Sequence, residues 1–147
     1  MALQTSIECM LFDLDGTLID TAPDFVQIMN QLLLENNKPE IDPQKIYQTV
    51  SDGARALIKL GFNIEETSKN FASLNQRLLD LYAIQIDKTD SILYHGLDAL
   101  LRELEESQIP WGIVTNKPVL YAASLLEKLS LNRRCSALIC PDHVENR

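Results

Sequence analysis

Three short apolar runs, IECMLFDL at residues 7–14, WGIVTN at 111–116 and SALIC at 136–140, are separated by long stretches of helical periodicity. No other feature of the sequence limits the fold as strongly. Each run falls short of the ~20 apolar residues that a membrane-spanning helix needs. The first ends in turn chemistry, as a buried strand does. Strands that alternate with helices pair in parallel through right-handed crossovers. The expected fold class is therefore α/β, with an incomplete Rossmann-like parallel sheet of about three strands.

The region from Thr21 to about Ile86 holds no strand pattern. Thr21-Ala22-Pro23-Asp24 reads as a capping box, with Thr21 as N-cap and Pro23 near the first helical position. Phe25, Ile28, Leu32 and Leu33 follow at helical spacing, and Asp42-Pro43 opens a second helix by the same logic. Gly53 and Gly61 bracket a short apolar segment, and Phe71, Leu74, Leu78 and Leu81 form the stripe of a longer helix. Residues 21–89 are thus expected to form an inserted, all-helical cap. Residues 1–20 and 90–147 form the α/β core, with a helix at Leu97, Leu100, Leu101 and Leu104 and another from residue 118 to 129.

Hydrophobic residues make up 46 % of the 147-residue chain, which suffices for a real core. The net charge of −8 argues against nucleic-acid or anionic-membrane partners, which select a basic face. Cys9, Cys135 and Cys140 are odd in number and form no CxxC pair, so buried, reduced thiols are expected. The N-terminus has neither a basic segment nor a long apolar one, so the expectation is a soluble, cytoplasmic protein without a signal peptide.

Chemistry concentrates at the end of the first run, in LFDLDGTLID. Reactive groups in open α/β sheets gather at the carboxyl ends of strands, where Asp13 and Asp15 fall. Two carboxylates so close repel each other, and a bound Mg²⁺ relieves that. A strand-end carboxylate can also attack phosphorus as a nucleophile, while a neighbour two residues on shares its side and can move a proton. Gly16 permits a tight turn, and Thr17 offers a hydroxyl and a backbone N–H to an anion. A plain Asp-Gly turn is the alternative; an EF-hand is not, because Gly16 has the wrong spacing and a strand precedes it.

FDLDGTLID resembles the first motif of the haloacid dehalogenase superfamily, and GIVTN resembles its second. The helical insert resembles that superfamily's cap. The resemblance implies a Mg²⁺-dependent phosphatase. Asp13 would be the nucleophile and a metal ligand, and Asp15 the general acid/base that also gives the metal a backbone carbonyl. Thr115 and Asn116 would hold phosphoryl oxygens. Asp15 favours phosphate esters, because dehalogenating and phosphonate-cleaving members lack an acid there. A phosphomutase shares these motifs and stays open as an alternative.

TAPDF, SDGARALI, WGIVTNKP and LICPDHV look like the phosphoglycolate phosphatase group, and in combination like its branch acting on N-acetylmuramic acid 6-phosphate in cell-wall recycling. Both substrates carry a carboxylate beside the phosphate ester. Arg55 is the candidate to bind it in bidentate fashion, with a solvated helix residue as the alternative. Lys117 is a candidate for the phosphate, with an ordinary surface lysine as the alternative. His95 and His143 read as loop histidines. The superfamily continues with a lysine and an acidic pair that have no counterpart before Arg147, so the chain looks C-terminally truncated. That leaves the first strand expected at a sheet edge, a route to homo-oligomers. A catalytically weak interaction module is the alternative outside enzymes.

Overall fold

The computed structural model describes residues 6–145. Its main sheet has the order β1-β4-β5 and is parallel throughout, from Met10–Phe12 (β1), Trp111–Val114 (β4) and Ala137–Ile139 (β5). This is the α/β class read from the sequence, with strands shorter than their apolar runs. The middle strand is squeezed at Gly112, where a Cβ would stand 2.9 Å from the Ala137 carbonyl oxygen and 3.2 Å from the Leu11 side chain. β1 lies at the edge, with Leu11 59 % exposed.

Helices Leu97–Glu106 (α5) and Val119–Lys128 (α6) are the crossovers. Their leucines join Leu14, Leu18, Ile19, Trp111 and Ile113 in one buried cluster. Trp111 keeps its indole N–H satisfied on Glu105 at 3.0 Å, as a buried indole requires. Cys140 is buried in the same cluster, and burial pushes its thiol up to about 11. Cys135 is half-buried, but Cys9 is exposed. The expectation of three buried thiols is corrected at Cys9; none of the three forms a disulfide.

A second, two-stranded antiparallel sheet pairs Ile19–Asp20 (β2) with Ile92–Leu93 (β3). The chain between them runs through Ala22–Glu35 (α1), Pro43–Thr49 (α2), a 3₁₀ turn at Val50–Asp52, Ala54–Phe62 (α3) and Phe71–Ile86 (α4). These helices bury a second cluster that includes Phe25, Met29, Leu32, Leu57, Leu78 and Tyr82. α2 starts as its sequence dictates, with Asp42 accepting from the Gln44 N–H. α1 does not. Thr21 and Pro23 hold their expected positions, but no side-chain capping bond forms. The Thr21 hydroxyl donates to Asp15 instead, at 2.7 Å.

Asp24 is withdrawn from the cap as well. Fully buried, its carboxylate accepts from Gln85 at 2.9 Å, from Ser91 at 2.7 Å and from the Thr89 hydroxyl. It therefore ties the start of α1 to the end of α4 and to the segment that re-enters the core.

Candidate active site

β1 ends directly before Asp13, and the next six residues form a tight loop. Gly16 donates to the Ile19 carbonyl at 3.0 Å, and Leu18 and Ile19 both donate to that of Leu14. The loop turns at Gly16, whose φ of +75° suits glycine. Space demands glycine there too, because a Cβ would meet Ser51 Oγ at 2.3 Å. The 3₁₀ turn before α3 thus sits directly on this loop, and the Ser51 hydroxyl donates to the Asp15 carbonyl oxygen at 2.8 Å.

Asp15 and Lys117 are 102 residues apart in sequence, yet their side chains pair at 2.8 Å and both are buried. The Thr21 hydroxyl shares the same carboxylate oxygen. Lys117 is therefore no surface lysine. Its ammonium also lies 4.2 Å from the Tyr82 ring centre and 5.0 Å from that of Phe25, a cation held by two aromatic faces. Burial works against its charge, but Asp15 and Tyr82 together outweigh it, and the ammonium is held above the ordinary lysine range. Burial pushes the Tyr82 phenol up to about 12, against the pull of Lys117.

Asp13 is half-buried and faces the same cavity. Burial raises its carboxyl above the ordinary aspartate range, against the Leu14 N–H and the Thr17 hydroxyl, which favour the charged form. Thr115, buried at the end of β4, anchors its N–H on Ile139 and accepts the Lys117 N–H on its hydroxyl. Asn116 is exposed at the rim.

Asp13, Asp15, Thr115, Asn116, Lys117 and Arg55 thus line one cavity of about 340 Å³. Thr17 does not. Its hydroxyl donates to Asp13 at 3.2 Å and its N–H turns back to Leu14, so the turn consumes the N–H expected for an anion. Arg55 pairs with Glu66 at 3.0 Å, and Lys59 stands 3.4 Å from the same carboxylate. Arg55 is thus both solvated and directed at the cavity wall. Ser51, Asn75 and Tyr82 also line the cavity and escaped the sequence reading. Their only signal is the segment SDGARALI for Ser51 and the i, i+7 spacing of Asn75 and Tyr82 on α4.

For a metal ion, the described residues offer the Asp13 carboxylate and the Asp15 carbonyl, the latter engaged by Ser51. No group of three or more His, Cys, Asp or Glu among them could hold one. Such a donor pair fits a magnesium ion shared with phosphate oxygens and waters, not one held by these residues alone.

Among the described residues no helix is long and apolar enough to cross a membrane. Residues 10–147 match the family described as haloacid dehalogenase-like hydrolase. An N-acetylmuramic acid 6-phosphate phosphatase of Pseudomonas putida is 39 % identical over 140 residues, covering 95 % of this chain and 62 % of the relative. A phosphoglycolate phosphatase of Xanthomonas campestris pv. campestris is 36 % identical over 138 residues, covering 94 % and 62 %. The chain therefore spans about three fifths of the length of these relatives. A predicted phosphoglycolate phosphatase from Haemophilus somnus shares the fold, with a TM-score of 0.82 at 22 % identity over 97 % of this chain and 66 % of that one. With nearly the whole chain matched, and with both strand ends meeting at one cavity, the chain belongs to the haloacid dehalogenase-like hydrolases.

Proposed function

We propose that the site serves a phosphomonoester hydrolase acting on a small phosphorylated carboxylate. The observation that carries this reading is the convergence of Asp13 and Asp15 from one strand end with Thr115, Asn116 and Lys117 from the other. The named relatives, whose substrates are N-acetylmuramic acid 6-phosphate and phosphoglycolate, support it. Residues 21–89 act as the cap over residues 1–20 and 90–147, and the setting is cytoplasmic cell-wall recycling.

The Asp13 carboxylate attacks phosphorus and forms an aspartyl-phosphate as the ester P–O bond breaks. Asp15 enters the cycle carrying a proton, gives it to the departing alkoxide oxygen, and regains one from the water that attacks the aspartyl-phosphate. Inorganic phosphate leaves and Asp13 is regenerated. Thr115, Asn116 and Lys117 bind the phosphoryl oxygens. Arg55 exchanges Glu66 for the substrate carboxylate. The Asp13 carboxylate and the Asp15 carbonyl would hold Mg²⁺, which when bound neutralises phosphoryl charge.

Phosphate release from both substrates, with Mg²⁺ and with EDTA, tests the reading. The expected result is metal-dependent release that Asp13→Asn abolishes. Release that survives Asp13→Asn would remove the nucleophile assignment. A requirement for a sugar bisphosphate would replace hydrolase with mutase.

A further inference from the structure

Arg55 and Lys59 are four residues apart on α3, so they share one helix face, and both line the cavity. Asn63 closes α3 in the left-handed conformation, and the chain turns back before α4 begins. That turn carries Glu66 onto the same wall. Its carboxylate stands 3.0 Å from the Arg55 Nη1 and 3.4 Å from the Lys59 Nζ, and it lines the cavity with them. Glu65 reaches Lys59 at 3.5 Å from outside the cavity lining.

Among the described residues, every cation that lines the cavity is thus matched by a carboxylate of the chain itself. Asp15 matches Lys117, and Glu66 matches Arg55 and Lys59. A second anion on a ligand meets no unmatched cation and has to compete with one of these carboxylates. The two are unequal. The Lys117 and Asp15 side chains are only 5 % and 10 % exposed, and parting a buried pair strands a charge. Those of Arg55 and Glu66 are 56 % and 42 % exposed, so water solvates whichever group is released. A single bond from the Arg55 Nη1 joins them, whereas a carboxylate of free orientation fits the guanidinium fork with two parallel bonds. Exchange therefore falls at Glu66.

We propose that Glu66 is a specificity-determining residue that competes, from within the chain, for the anion subsite of Arg55. A ligand gains from Arg55 only what its second group offers beyond Glu66. A carboxylate displaces Glu66, because a bidentate pair replaces a single bond. A neutral hydroxyl or amide does not, because it gives up an ion pair for an uncharged contact. The proposal rests on the reading of Arg55 as the partner of a ligand carboxylate and adds to it the residue that opposes that contact.

Two phosphonates test this, because their P–C bond survives a phosphate-ester hydrolase and they differ in one group. Phosphonopropionate ends in a carboxylate, and propylphosphonate ends in a methyl group. Calorimetry with Mg²⁺ measures both on the full chain, on Glu66→Gln and on Glu65→Gln, which removes the same charge one residue away. The full chain is expected to prefer phosphonopropionate. Glu66→Gln is expected to bind it about threefold tighter, as the loss of an exposed ion pair allows, and to move propylphosphonate by less than about 1.5-fold. Glu65→Gln is expected to leave both probes within that smaller range. Weaker phosphonopropionate binding in Glu66→Gln means that Glu66 aims Arg55 at the ligand, and it overturns the proposal. Unchanged binding, equal tightening of both probes, or equal tightening by both variants overturns it as well. If the full chain binds the two probes equally, the Arg55 reading falls and the competitor with it, while the phosphate site stands. If it binds neither, the phosphate site falls too.

Discussion

At the scale of single residues, Lys117 and Asp13 make opposite demands on stability. Lys117 pairs with a buried carboxylate, so Lys117→Met strands Asp15 with only the Thr21 hydroxyl. Urea unfolding of that variant is expected to show a loss of about 3–5 kcal/mol, as for other broken buried pairs, together with lost phosphate binding. Asp13 runs the other way. Its carboxyl is raised in the folded chain, so the folded state holds the proton more tightly than the unfolded state. Ionised Asp13 therefore costs stability above its folded pKa, and that cost disappears as pH falls toward the ordinary value of 3.8. Asp13→Asn should be more stable than the parent at neutral pH, with the advantage shrinking through that window. A pH series of urea midpoints checks it, and a constant difference would refute the assignment. The strand-end aspartates were legible because their chemistry is local: a run of apolar residues ends and carboxylates begin, whereas Thr115 was named through the resemblance of GIVTN to a family motif. The partner of Lys117 was not, since no spacing rule connects it to Asp15 or to two aromatic rings on other helices.

At the scale of elements, the helical periodicities from residue 21 to 86 were plain, while β2 and β3 were invisible. Two strands of two residues each carry no alternation that a pattern could register. Their pairing is decided by what holds the neighbouring chain, and Asp24 is the residue that does so. It was read as part of a capping box, but the hydroxyls of Thr89 and Ser91 compete better for its carboxylate than the open first turn of α1. Asp24→Ala leaves those hydroxyls and Gln85 short of an acceptor. A stability loss of about 3 kcal/mol is expected, with hydrogen exchange accelerated at Ile92 and Leu93 before it changes in β4. Uniform acceleration across the molecule would show that Asp24 serves the whole fold and not this junction. Gly16 makes a second prediction at this scale. Gly16→Ala faces both a positive φ and the Ser51 contact. Adding Ser51→Ala should recover only the steric part, leaving about 1 kcal/mol of backbone cost.

At the scale of the molecule, the parallel order β1-β4-β5 leaves β1 at an edge with Leu11 exposed. Such an edge pairs with another chain unless something blunts it. Sedimentation velocity of this chain is expected to show self-association that rises with concentration and that Leu11→Lys suppresses. A species that stays monomeric at every concentration refutes it.

The neck formed by β2 and β3 has a mechanical meaning. The two crossings between the helical block and the sheet are paired to each other. They form one paired strip and not two separate cords, and Tyr121 of α6 packs into the core of the helical block beside them. Ser51, Arg55 and the α4 face all belong to the block that this strip carries, and Ser51 seats it on the Asp15 carbonyl oxygen.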